Sequence, residues 1–360
     1  MYSRDDISIT KADHSRIKEV NLDDPGFGKF YTDHMFICDY RDGKWQKPEV
    51  KPYSPMTLDP ASKIFHYGQS IFEGMKAFKD DQGKVWLFRP DQNFERFNKS
   101  SVRMCMPEVP EEYFFGALDI LMELDKDWIQ NKDGYSLYIR PFSIGIENQV
   151  AAAPSSVYRF CIICSPVKAY YSQGDKGLKV LIQDRFSRAA KGGVGFVKAG
   201  GNYGSSFYPT ELARKEGYQQ IIWTDSATHE YMEEAGTMNV IFRINDTLIT
   251  APVSERILDG VTRKSILALA EDQGINVEVR PIKVNEVLEA QKKGELKEIF
   301  GVGTAATLVP FIGYGYKGEY FELPNVENPY GPRLKNALQD IQYNRAEDKF
   351  KWLYEAKASL

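Results

Sequence analysis

Gly192-Gly-Val-Gly-Phe-Val-Lys198-Ala-Gly-Gly-Asn-Tyr-Gly204 sets one lysine between two glycine-rich strings. Lysine is among the residues least often buried, and glycine lets a backbone come close to something that is not a side chain. A lysine framed in this way suggests an amine held against a flat, phosphate-bearing ligand. A desolvated lysine can form a Schiff base with a carbonyl. A flexible surface loop that contains a lysine is the other reading, and the string alone does not choose between them.

The elements on either side of this stretch alternate between strand and helix patterns. Before it, strands are expected over residues 30–40, 84–89, 136–142 and 157–165, with Asp42-Gly43 as a hairpin turn. Helices are expected from Pro90-Asp91 to about Met104, with Phe94 and Phe97 on one face, and from Pro110 to about Gln130. After it, strands are expected near 178–184, 219–224, 239–250, 276–280 and 297–300, and helices near 203–217, 262–273, 284–293 and 330–344. The run around Lys349-Phe-Lys-Trp-Leu-Tyr reads as a short packed terminus. Pro166 to Gly177 is the most linker-like segment, with a proline, two glycines and charges. The expected division is therefore a domain over residues 1–165, a linker over 166–177 and a domain over 178–360.

The 360 residues suit about two domains at ~150 residues each. A net charge of −4 gives no electrostatic footprint for nucleic acid or an anionic membrane. No stretch approaches the ~20 apolar residues of a membrane span, and the N-terminus does not have the pattern of a signal peptide. Four cysteines are too few for a disulfide scaffold in a chain of this length, so a reducing compartment, the cytoplasm, is expected.

Several strings invite functional readings that their context rejects. Gly301-Val-Gly-Thr-Ala-Ala306 and Gly313-Tyr-Gly-Tyr-Lys-Gly318 match dinucleotide fingerprints, but neither sits in a strand–turn–helix unit. Cys161-Ile-Ile-Cys164 lies inside an apolar strand, where i and i+3 face opposite ways, so two buried structural thiols are expected. The four histidines show no metal-ligand spacing, and no metal is expected. Two other strings keep both readings. Glu233-Glu234 before Ala-Gly236-Thr237 is surface charge, or holds an acid that pairs with a ring nitrogen. Asp259-Gly-Val261-Thr262 is an ordinary helix start, or an anion site made by a helix N-terminus. An amine, an acid, a phosphate cradle and glycine-lined space are the parts that a pyridoxal phosphate enzyme needs.

The order and spelling of these motifs resemble the branched-chain amino-acid aminotransferases, of the fold-type IV pyridoxal phosphate class. The likeness is carried by Phe30-Tyr-Thr-Asp-His-Met35, Tyr67-Gly-Gln-Ser-Ile-Phe72-Glu-Gly-Met-Lys-Ala-Phe78, Leu87-Phe-Arg-Pro90 and Tyr138-Ile-Arg140-Pro. It continues through Gly192-Gly-Val-Gly, Lys198-Ala-Gly-Gly-Asn-Tyr203-Gly, Glu234-Ala-Gly-Thr-Met-Asn239 and Gly301-Val-Gly-Thr304-Ala-Ala. The resemblance implies an α/β (α+β) fold of two domains, a smaller N-terminal mixed-sheet domain and a larger C-terminal one. It implies pyridoxal 5′-phosphate as cofactor, amino acids and 2-oxo acids as partners, and a homodimer. The reaction it implies is reversible transfer of an amino group from L-leucine, L-isoleucine or L-valine to 2-oxoglutarate.

The resemblance also implies roles. Lys198 matches the lysine that holds the cofactor and shuttles the proton. Tyr203 matches the tyrosine on the cofactor's phenolic oxygen, and Glu234 the acid on its ring nitrogen. Arg96, Val261, Thr262 and Thr304 match phosphate contacts, and Arg188 and Thr237 belong to the cofactor pocket. Thr304 and Ala305, with Tyr67, match the turn that faces the substrate α-carboxylate. Phe27, Phe72, Tyr138 and Tyr170 match the apolar side-chain pocket. Arg140 matches the arginine that meets the second carboxylate of glutamate. Mammalian members carry a Cys-x-x-Cys pair just after the Thr-Ala turn; Ala306 and Val309 stand there in this chain, so no thiol switch is expected. The rival readings are another fold-type IV enzyme acting on D-amino acids or aminodeoxychorismate, and a catalytically silent binding protein. The first lacks the Phe72–Phe78 spelling; intact Lys198, Tyr203 and Glu234 argue against the second.

Overall fold

A computed structural model describes residues 4–168 and 177–357, so Tyr170 and residues 169–176 of the expected linker lie outside the described residues. Pro166-Val-Lys168, expected as the linker's start, instead completes a strand. The chain divides into two units, the first of Met1–Tyr170, Val197–Gly201 and Asp340–Leu360, the second of Tyr171–Phe196 and Asn202–Gln339. The division does not follow the chain. The Lys198 segment and the C-terminus join the first unit, which therefore holds more residues than the second, the reverse of the expected proportion.

The first unit is built on a ten-stranded sheet. Its strands are β1 (Ser8–Ile9), β2 (His34–Arg41), β3 (Lys44–Trp45), β4 (Glu49–Pro52), β5 (Ser70–Phe72), β6 (Met75–Lys79), β7 (Val85–Phe88), β8 (Tyr135–Gly145) and β9 (Tyr158–Lys168). The tenth comes from the C-terminus, where Leu353–Glu355 pairs antiparallel with β7. Helices α1 (Lys63–Tyr67), α2 (Pro90–Arg103) and α3 (Glu111–Leu124) accompany the sheet. The β8–β9 pair runs from Tyr135 opposite Lys168 to Gly145 opposite Tyr158. Phe97 of α2, Phe114 and Leu118 of α3, and Phe160 and Ile162 of β9 form one buried cluster. Cys161 and Cys164 are buried in β9, and burial pushes the Cys161 thiol up to about 12 and the Cys164 thiol well above its ordinary value.

Pro141 explains how β5 and β6 come to be separate strands on one line. Phe72 faces Phe142 and Met75 faces Ile139, so the register runs unbroken through Glu73 and Gly74. At Pro141 the ladder has an acceptor and no donor: the Glu73 N–H donates to the Pro141 carbonyl at 2.7 Å, and proline has no N–H to return.

The second unit closes a ring. Its strands are β10 (Leu178–Ile182), β11 (Gln220–Thr224), β12 (Met232–Ala235), β13 (Met238–Ile244), β14 (Thr247–Thr250), β15 (Asn276–Val279), β16 (Leu296–Gly303), β17 (Thr307–Tyr316) and β18 (Glu319–Glu322). The pairing order β12-β11-β10-β17-β16-β13 is completed by β12 on β13. Six strands thus form a barrel, a closure that removes exposed edges. Val180, Ile222, Val240, Phe242, Ile299 and Phe311 are buried in its apolar cluster. The expected helix over 203–217 is broken into α4 (Gly200–Gly204) and α5 (Phe207–Lys215); α6 (Val261–Asp272), α7 (Val284–Lys292) and α8 (Tyr330–Gln342) fall close to expectation. The two fingerprint-like strings lie in β16 and its turn, and in β17 and its hairpin, as the missing helical context required. Among the described residues, no helix is long and apolar enough to cross a membrane.

Candidate active site

Lys198 is half-buried in the first unit, and its backbone is tied on both sides. Its N–H donates to Ser100 Oγ at 3.2 Å, and its carbonyl accepts the Phe72 N–H at 3.0 Å. Ala199 forms a bridge with Ile71. The segment is therefore an added rung on β5 and not a loose loop. The amine sits 4.7 Å from the centre of the Phe72 ring, and the Arg140 guanidinium carbon sits 4.6 Å from the same ring. Both are cation–π distances.

Tyr138 and Arg140 point from β8 into the same neighbourhood. Arg140 Nη2 donates to Tyr138 Oη at 3.0 Å, while Arg140 Nε is buried without a partner. An unpaired buried guanidinium N–H is a donor aimed at something acidic. The Phe27 ring meets the Tyr138 ring edge-on at 4.9 Å. Gly74 is needed here for space: a Cβ on it would stand 2.0 Å from Tyr138 Oη. Tyr67, at the end of α1, is 42 % exposed and has the His66 ring beside it.

Arg96 is buried on α2, with its guanidinium clamped by Glu73. Nε donates to Glu73 Oε1 at 2.6 Å and Nη2 to Oε2 at 2.9 Å. The family resemblance implies a phosphate contact for Arg96 and says nothing of Glu73. The available signal was a carboxylate placed between apolar residues of a buried string, which requires a charged partner.

The second unit assembles a different set. Glu234 and Asn239 face each other across the β12–β13 hairpin that closes the barrel, with Gly236 in the turn at φ +57°. Glu234 Oε1 accepts Asn239 Nδ2 at 3.0 Å and the Leu258 N–H at 2.9 Å, and Oε2 meets Arg188 Nη2 at 2.6 Å. Three donors, one of them a cation, hold this carboxylate in one orientation. Glu233, next along the strand, is also buried but takes Arg256 as its partner. Burial pushes the Glu233 carboxyl above its ordinary value, although Arg256 pulls the other way. Neighbours in a strand face opposite sides, and so the two acids receive different partners.

Arg188 does more than pair with Glu234. Its Nη2 also donates to the Gly195 carbonyl at 2.9 Å and to the Arg256 carbonyl. The first glycine string is thus packed against protein: a Cβ on Gly195 would stand 2.4 Å from Ala189 Cβ and 2.8 Å from the Arg256 carbonyl oxygen. The expectation that these glycines line ligand space is corrected for Gly195, whose close approach is to the Arg256 loop.

Val261 and Thr262 open α6 after Gly260, and no side chain caps the helix. Its first N–H groups can therefore serve an anion. A Cβ on Gly260 would stand 1.9 Å from Asn239 Oδ1, so this helix start is fitted to the Glu234 hairpin. Thr304 and Ala305 lie, half-buried, in the turn between Gly303 and Thr307. Tyr203 is half-buried in α4, and Thr237 is exposed on its turn. The structure thus groups Lys198, Phe72, Tyr138, Arg140, Phe27 and Arg96 in one unit. Arg188, Tyr203, Glu234, Thr237, Val261, Thr262, Thr304 and Ala305 belong to the other.

A family described as amino-transferase class IV matches residues 70–312. The chain is 41 % identical over 334 residues to branched-chain-amino-acid aminotransferase 2 of Bacillus subtilis, covering 92 % of each protein. It is 38 % identical over 344 residues to the branched-chain-amino-acid aminotransferase of Mycolicibacterium smegmatis, covering 94 % of each. Among solved structures, the branched-chain aminotransferase of Thermoproteus uzoniensis with norvaline has a TM-score of 0.73 at 22 % identity, covering 90 % of this chain and 100 % of that one. The branched-chain amino acid aminotransferase of Escherichia coli has a TM-score of 0.70 at 23 % identity, covering 90 % and 99 %. These structural likenesses carry the fold. The family match and the sequence identity over almost the whole chain carry the membership: this protein belongs to the class IV aminotransferases.

Proposed function

We propose that the chain transfers an amino group reversibly from L-leucine, L-isoleucine or L-valine to 2-oxoglutarate, with pyridoxal 5′-phosphate as cofactor. The observation that carries the reading is Lys198, pinned through its backbone with its amine over an aromatic ring beside an arginine. The residues fit the cofactor. An amine, an oriented carboxylate and an uncapped helix start are present, and Arg188 and Arg140 each keep a buried Nε that meets no protein acceptor.

When bound, pyridoxal phosphate supplies the electron sink that stabilises the substrate's carbanion. Lys198 would hold the cofactor through its amine and would carry the proton to and from the substrate α-carbon. General acid–base work of this kind contributes ~10²–10⁴-fold. Glu234 would face the ring nitrogen and Tyr203 the phenolic oxygen. Arg96, Val261, Thr262 and Thr304 hold the phosphate, and Arg188 and Thr237 complete the cofactor's surroundings. The amides of Thr304 and Ala305, with Tyr67, receive the α-carboxylate.

Phe27, Phe72 and Tyr138 form the wall for a branched hydrocarbon, and Tyr170 belongs to the same assignment. Arg140 accommodates the second carboxylate of glutamate. One pocket must take both side chains. A methylene is worth only about 1–3 kcal/mol in such a wall, so discrimination among leucine, isoleucine and valine is weak. A cytoplasmic homodimer is part of the same reading.

The test is spectral. Purified protein should be yellow and should keep its cofactor attached after borohydride reduction. It should exchange its colour on adding L-leucine and recover it with 2-oxoglutarate; a colourless protein indifferent to pyridoxal phosphate would sink the idea. Arg140→Ala should reduce kcat/KM for glutamate well below that for leucine, because only glutamate brings a charge to that guanidinium. Equal losses would make Arg140 a structural residue.

A further inference from the structure

Glu73 has no part in the scheme above, yet it is the most confined acid near Lys198. It is fully buried. Its carboxylate takes Arg96 on both oxygens, Asn93 Nδ2 at 2.7 Å and the Gly74 N–H at 3.0 Å. Those contacts close a circuit with Lys198. Phe72, the residue before Glu73, donates its N–H to the Lys198 carbonyl and lies beneath the Lys198 amine. Ser100, one turn beyond Arg96 on α2, accepts the Lys198 N–H and donates to the Arg96 carbonyl at 2.9 Å. Lys198, Phe72, Glu73, Arg96 and Ser100 thus form a ring of linked groups within one unit.

A carboxylate in that position must be charged to hold four donors. Burial alone would raise its pKa, but the charge and hydrogen bonds of Arg96, then the charge of Lys198, then Asn93, outweigh burial and hold it below the ordinary range. The charges acting on this carboxylate are Arg96 from α2, paired with it directly, and Lys198. Against these two cations, Glu73 supplies the negative charge.

We propose that Glu73 is a positioning residue of the Lys198 site: it locks Arg96 in place and supplies the fixed counter-charge beside the Lys198 nitrogen. The proposal rests on the reading of Lys198 as the cofactor-bearing amine. A cation beside a carboxylate keeps its proton to higher pH, so the charge of Glu73 should be visible in the colour of the loaded protein as pH is varied. An acid that merely fastens α2 to the sheet would affect thermal stability and leave that colour change where it is.

Glu73→Gln keeps the shape and removes the charge. Wild type and variant would both be loaded with pyridoxal phosphate, checked by borohydride for attachment at Lys198, and titrated by visible absorbance. The pH midpoint of the variant's band should fall by roughly one unit, since a close opposite charge moves a titration by about 1–3 units. Loss of the carboxylate and release of Arg96's charge act in the same direction. If Glu73→Gln does not fold, Glu73→Asp is measured instead: it draws the charge back from Arg96, so its midpoint should fall by less and its cofactor should leave faster on dilution. A wild type that binds no cofactor at Lys198 defeats the reading of the lysine. A loaded wild type with an unmoved midpoint in Glu73→Gln, or with wild-type midpoint and retention in Glu73→Asp, overturns the role of Glu73 alone.

Discussion

Lys198→Ala should remove measurable transamination of L-leucine with 2-oxoglutarate while leaving the protein folded. Both halves of that expectation follow from how the lysine is held. Its N–H and carbonyl are engaged by Ser100 and Phe72 through backbone atoms, and alanine keeps both. The amine is lost with the side chain, and with it the covalent attachment and the proton carrier that the proposed function assigns to it. The carrier alone is worth ~10²–10⁴-fold. Turnover, a borohydride trap and a thermal melt distinguish the cases. Retained turnover would remove Lys198 from its role; lost turnover with an unfolded protein would place the lysine among the structural residues.

Arg188→Ala should have the largest effect on stability among the site variants. One nitrogen of Arg188 serves the Gly195 carbonyl, the Arg256 carbonyl and the Glu234 carboxylate, and both side chains of the ion pair are almost wholly buried. Removing one member of a buried pair leaves a desolvated charge, at a cost of about 3–5 kcal/mol. The two carbonyls lose a donor as well. A thermal or denaturant melt should show the loss even without cofactor, and cofactor affinity should fall with it because Glu234 is no longer held. Arg188→Lys should recover only part, since an ammonium lacks the planar fork. A melt unchanged from wild type would mean that water replaces the guanidinium freely.

What could be read from the sequence follows the range of the interactions involved. α2, α3, α6 and α7 carry their own periodicity and punctuation, and the long strands β8 and β9 announce themselves by β-branched and aromatic runs. The local strings around Lys198, Glu234 and Thr262 left two readings each, and only the family resemblance chooses between them. The barrel was not visible, because β12 is only four residues long and its closure depends on pairing with both β11 and β13. Glu73 has no local signal of its partner within Phe72-Glu-Gly-Met-Lys-Ala-Phe78. Its importance lies in Arg96, twenty-three residues on, and in a proline on β8. The glycines before Lys198 suggest close approach to a ligand, whereas Gly195 makes room for the Arg256 loop, a contact with no sequence signature.

The sheet that carries Lys198 cannot be finished in the order in which the ribosome delivers it. Its long strands are complete at Lys168, but the edge strand beside β7 begins at Leu353 and the rung beside β5 comes with Ala199. At about 5–20 residues per second, roughly ten to forty seconds of synthesis separate the first event from the last. During that interval the barrel-forming residues are made, and the strand beside β7 is still missing. The sheet that holds the Lys198 segment is therefore among the last parts of the structure to receive all its strands.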